Sequence, residues 1–94
     1  MMFEFSSIQE FKNRIEEKDL AMSTEIYNQI KKAFYSKVHR KKVTAFTVII
    51  KGEEIDFILE RSQWSTSLNT CMNTFAEHDM FEECIEIQKM LKEL

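Results

Sequence analysis

Ninety-four residues, 44% of them apolar and 12% aromatic, suffice for one domain around one core and leave no room for a second. No apolar run approaches the roughly 20 residues that span a bilayer. With no Pro and a single Gly, the chain lacks the glycines that phosphate-cradling loops and nucleophile elbows need in order to bend tightly.

The net charge of −3 conceals a segregation. From Ile26 to Lys51 there are seven bases and no acid, whereas from Gly52 onward ten acids face three bases. Two poles of opposite sign can steer either a cationic or an anionic partner. The opening MMFEF lacks the basic and then apolar pattern of a secretion signal. Together with only two cysteines, Cys71 and Cys84, this predicts reduced thiols and a cytoplasmic protein.

Taken in chain order, Met2 to Phe5 alternates apolar and polar and predicts a short N-terminal strand. Ser7 with Glu10 forms an S-x-x-E capping box ahead of Ile8, Phe11 and Ile15 at helical spacing, a first helix ending near Glu17 or Lys18. Asp19 and the pair Ser23 and Thr24 both offer caps beyond the break. The spacing of Ile26, Ile30, Ala33 and Phe34 predicts a second helix from about Thr24 to Lys37, flanked by Tyr27 and Tyr35.

A β-hairpin over about 43–50 and 54–60 follows, with Gly52 as first central residue of a type II′ turn. That turn pairs Ile50 with Ile55, Val48 with Phe57 and Phe46 with Leu59, placing these side chains on one face and leaving the other half covered. Two-stranded hairpins are marginal alone, so the helices must bury that apolar face. Ser62 then caps a third helix carrying Trp64, Leu68, Cys71, Met72 and Phe75. Asp79 with Glu82 makes a second capping box before a fourth, giving a helical hairpin over about 63–77 and 80–93. The fold class is α+β, one domain over 1–94. The fourth helix carries two apolar stripes, Met80, Ile87, Leu91 and Leu94 beside Phe81, Cys84, Ile85 and Gln88, one more than a single packing contact needs. The surplus points to contact with another chain and a homodimer.

Chemistry-bearing residues are sparse. Cys71, His78 and Cys84, with His39, Asp79 or Glu82 as a fourth ligand, match no standard metal spacing, and both cysteines fall on apolar stripes where thiols act as small hydrophobes. His39 and His78 lack an oriented nucleophile and an oxyanion site. Neither a cofactor nor enzymatic activity is expected. Binding offers two alternatives. The run KKAFYSKVHRKK supplies Lys31, Lys32, Tyr35, Lys37, Arg40, Lys41 and Lys42, bases with an aromatic that suit RNA or DNA. The acid-rich half supplies spaced carboxylates that can occupy another protein's phosphate-binding groove. There the candidate contacts are Glu82, Glu83, Glu86 and an exposed edge of Trp64.

The C-terminal segment DMFEECIEIQKMLKEL resembles the UVR motif, a helical hairpin of excision-repair and Clp-associated adaptor proteins, at Phe81, Glu82, Cys84, Ile85, Ile87 and Leu91. It departs at Gln88 and Lys89, where that motif carries Arg-Asp. More broadly, MFEFSSIQEFK, IIKGEEIDFILERSQW and FEECIEIQKMLKEL together resemble the small early proteins of T4-like bacteriophages. That resemblance implies a stoichiometric inhibitor of a host defence or nucleic-acid-processing protein, acting in an infected bacterial cytoplasm.

Overall fold

A computed structural model describes residues 2–17, 19–36 and 41–94. The chain runs β1 (Met2–Phe5), α1 (Ile8–Glu16), α2 (Leu20–Phe34), β2 (Lys42–Ile50), β3 (Glu53–Glu60), a 3-10 turn (Arg61–Gln63), α3 (Trp64–Glu77) and α4 (Phe81–Glu93). This is the mixed α+β order read from the sequence: a short strand, two helices, a hairpin and a helical pair. Lys37, His39 and Arg40 of the basic connector lie outside the described residues.

The hairpin turns one residue earlier than expected. Ile50 pairs with Glu53, so Lys51 and Gly52 are the central residues, with φ of 52° and 81°. Two successive positive φ angles make a type I′ turn in place of type II′, and its backbone twist follows that of the strands. Phe46 therefore pairs with Phe57 and Val48 with Ile55, while Val43 pairs with Leu59. The expected pairs are displaced by two residues. Because side chains alternate with period two, that displacement leaves each of them on the face first assigned to it.

A bulge between Thr44 and Phe46 completes the strand. Val43 and Ala45 are apolar in one phase of the alternation, and Phe46, Val48 and Ile50 in the other. One extra residue lets all five turn inward, and all five are buried. β1 adds in parallel on the far side of β2, Phe3 beside Val48 and Phe5 beside Ile50, for a sheet order β1-β2-β3. Phe46 stacks on Phe57 at 4.9 Å, Phe3 meets Phe46 edge-on at 5.1 Å, and Phe11 of α1 reaches both strands at 6.4 and 6.2 Å.

Helix ends follow side-chain chemistry. Ser7 accepts the Glu10 N–H as expected, while the Glu10 carboxylate turns back to the N–H and hydroxyl of Ser6. Of the two possible caps for α2, Asp19 is the one used. Its Oδ1 accepts the Met22 N–H at 3.0 Å and its Oδ2 takes Arg14 at 2.6 Å, so α2 starts four residues earlier than expected and ends at Phe34. The earlier start brings Met22 and Ser23 into the core, and Tyr27, expected at the flank, is buried edge-on against Phe75 at 5.4 Å.

Ser62 does not cap α3. It sits inside the 3-10 turn, where Gln63 Oε1 accepts the Glu60 N–H at 2.9 Å. Nor does Asp79 cap α4. It closes α3 instead, at φ 58°, with the Asp79 N–H donating to Ala76 O and the Met80 N–H to Phe75 O. This is a Schellman closure, which ordinarily places glycine where Asp79 stands.

One core joins the elements. α2 packs on β2 and on α3, and α4 packs on α3. Trp64, Leu68, Phe75, Ile30 and Ile87 are fully enclosed, each contributing roughly 1.5–3 kcal/mol from burial. In α3, Asn69, Thr70 and Thr74 donate to carbonyls one turn back, a local bonding pattern that competes mildly with helix, and the burial of Trp64, Leu68, Cys71 and Phe75 holds the helix in spite of it. Only Phe11 of the expected α1 stripe turns inward; Ile8 and Ile15 are exposed. The described molecule is a slab of 39 × 32 × 18 Å. No helix among the described residues is long and apolar enough to cross a membrane.

Candidate protein-binding surface

The alternation that buries Phe46, Val48 and Phe57 turns their neighbours outward. On this second sheet face lie Met2 and Glu4 from β1, Lys42, Thr44, Thr47 and Ile49 from β2, and Glu54, Asp56, Ile58 and Glu60 from β3, with Lys42 paired to Glu60 at one end. Thr47 and Ile49 on the central strand are half-buried, and the others are exposed. Pairing aligns Glu4, Ile49 and Glu54 in one row and Met2, Thr47 and Asp56 in the next. At the 4.7–4.9 Å spacing of neighbouring strands, Glu4 and Glu54 stand about 10 Å apart. The Thr47 hydroxyl donates to Asp56 at 2.9 Å and holds that carboxylate against the sheet. The result is an open sheet face, apolar at Ile49, Met2 and Ile58, with carboxylates at Glu4, Glu54 and Asp56 toward the hairpin tip and the paired Lys42 and Glu60 at the other end.

The residues singled out from the sequence do not make one patch. Trp64 has 0% exposure, and its Nε1 donates to Leu59 O at 3.3 Å. The expected exposed edge does not exist, because the 3-10 turn swings the ring into the core, with Arg61 above it at 5.0 Å. Glu82 is exposed, Glu83 is half-buried, and Glu86 accepts the Tyr35 hydroxyl at 2.5 Å. That bond, with burial and the charges of Glu86 and Glu93 adding to it, pushes the Tyr35 phenol up to about 12. It also alters the nucleic-acid alternative. Tyr35 is exposed, but its hydroxyl is engaged and its ring lies edge-on to Phe34 at 5.0 Å, so it is not the free stacking ring expected.

Among the bases, Lys31 lies 5.6 Å from the Tyr27 ring centre. Lys32, Lys41 and Lys42 are exposed. Lys32 and Lys42 line one cleft of about 480 Å³ together with Gln29, Ser36 and Thr44. A second, smaller hollow of about 200 Å³ lies between α1 and the hairpin tip, walled by Ile8, Phe11, Val48, Ile50, Ile55 and Phe57.

The cysteines serve the core. Cys71 Sγ donates to Ser23 O and Cys84 Sγ to Met72 O, both at 3.4 Å, and both thiols are free. Burial pushes Cys71 up to about 12 and raises Cys84 as well. His78 caps the end of α3 in solvent. Among the described residues no three His, Cys, Asp or Glu side chains gather closely enough to hold a metal.

The sheet-face acids were legible in part. Glu54, Asp56, Ile58 and Glu60 alternate at period two, which marks the outward face of a strand. Glu4 joins them only through the parallel pairing of β1. No family model, curated protein or solved structure matches the chain.

Proposed function

We propose that this chain is a non-enzymatic binding protein that covers a basic, nucleic-acid-binding surface of a protein partner with its open sheet face. The supporting observation is the carboxylate set Glu4, Glu54 and Asp56 on a sheet face that is exposed at both outer strands. Carboxylates presented from a sheet, with Asp56 held by Thr47, complement a phosphate-binding groove without the cost of ordering a loop. Ile49, Met2 and Ile58 add apolar area between them. In the setting implied by the resemblance to phage early proteins, the partner is a host defence or nucleic-acid-processing factor in a bacterial cytoplasm, blocked stoichiometrically.

The test is capture of partners from nuclease-treated bacterial lysate, followed by competition with duplex DNA. Wild type should retain a basic protein that DNA displaces, and the Glu4→Lys, Glu54→Lys, Asp56→Lys variant should not. Equal capture by both proteins would defeat the reading.

A second reading, a small RNA- or DNA-binding regulator, draws on Lys32 and Lys42 lining one cleft. It requires nucleic-acid affinity that falls steeply with salt and is lost on charge reversal at Lys32 and Lys42. Absence of binding at low ionic strength would remove it.

A further inference from the structure

α4 packs through Cys84, Ile87 and Met90. Its opposite side carries Phe81 and Ile85, one turn apart and 59% and 54% exposed. Around them on that outer side are Glu82 toward the N-terminus and Gln88, Lys89, Lys92 and the terminal acid Glu93 toward the C-terminus, all exposed. Large apolar groups at the centre of a charged helix face mark an unfilled contact.

We propose that the outer face of α4 is the interface of a twofold-symmetric homodimer, with two α4 helices packed antiparallel about Ile85. Charge order along the helix selects both the partner and the orientation. With the twofold axis midway between Ile85 and Glu86, Glu82 of each copy comes level with Lys89 of the other, because Glu82 precedes Lys89 on this face, while Glu93 lies beyond the level of the partner helix's first residue. Parallel packing would bring the two Glu82 side chains to one level and the two Lys89 side chains to another, forming no opposite-charge pair. An antiparallel, isologous contact closes after two copies and leaves no open end. Phe81 then covers the aliphatic stems of the other copy's C-terminal lysines. The contact is one helix long, at the small end of stable interfaces, so association in the micromolar range is expected. The sheet face takes no part, so dimerisation and partner capture can fail separately.

The experiment is sedimentation equilibrium of the full chain at low salt from about 5 to 500 µM, a range bracketing micromolar association. Wild type should approach twice the 11.3 kDa of one chain at the upper end. Ile85→Lys should remain monomeric. Glu82→Lys and Lys89→Glu should each weaken dimerisation about tenfold or more, each creating two like-charge contacts across the axis. Mixed in equal amounts they should recover it, since the mixed dimer has two matched pairs. Far-UV circular dichroism confirms that each variant is folded, as expected for exposed positions. A monomeric wild type across the range, an Ile85→Lys protein that still dimerises, or a mixture no tighter than its components would overturn the proposal. The last outcome with an intact wild-type dimer would place the interface on another face, the hollow between α1 and the hairpin tip included.

Discussion

Asp79 stands at φ 58°, where a side chain with a Cβ is strained by about 1 kcal/mol relative to glycine. Against this, its carboxylate near the N-terminus of α4 contributes a few tenths of a kcal/mol through the helix dipole. The strain is the larger effect. Asp79→Gly should therefore stabilise the protein by about 0.5 kcal/mol, read as a higher urea midpoint at unchanged slope. A matching gain of a few tenths is expected for Lys51→Asn, because asparagine tolerates the left-handed φ of 52° that the turn imposes there.

Asp19 carries the entry to α2. Burial alone would raise its carboxyl, but the Met22 N–H and Arg14 outweigh burial and hold it below the ordinary carboxylate range. A lowered acid stabilises the fold above its unfolded value and loses that contribution as pH falls through the folded value. Stability should thus drop below about pH 4 in wild type, and less so in Asp19→Asn, which keeps a cap but no charge. Asp19→Ala should cost about 1 kcal/mol at neutral pH, the usual worth of an N-cap. Urea titrations of the three proteins at pH 7 and pH 3 separate the cap from the ion pair.

Among the elements, α1 is the most weakly held. It has no buried residue and meets the core through Phe11, whereas α3 buries Trp64, Leu68, Cys71, Thr74 and Phe75. Amide hydrogen exchange should find α1 opening locally and the central amides of α3 exchanging only with global unfolding. Comparable protection of the two helices would contradict the packing described. At this scale the hairpin was readable from its alternation. Its register was not, because a lone glycine can occupy either central position of a tight turn. The phase change from Ala45 to Phe46 was the available sign of the bulge. Two of the expected caps misled for a different reason: Ser62 and Asp79 have the residue types of caps, but a 3-10 turn and a Schellman closure used those positions first, whereas Ser7 caps α1 as expected.

For the molecule as a whole, a single core spans sheet and helices. Unfolding followed by Trp64 fluorescence and by far-UV circular dichroism should therefore give coincident transitions. Separate midpoints would mean that the helical pair and the sheet are independent units. The α+β class, the count of strands and α-helices and the apolar face of the hairpin were all present in periodicity, because burial on one side imposes period two on strands and about 3.6 on helices. Periodicity carries no account of which surfaces remain uncovered once the elements pack. That is why Trp64 passed for a contact residue until the turn before it folded the ring inward, and why Glu4 joined Glu54 and Asp56 only when β1 docked beside β2. Long-range strand pairing and the placement of helices over one sheet face depend on contacts between residues far apart in the chain, which no local pattern records.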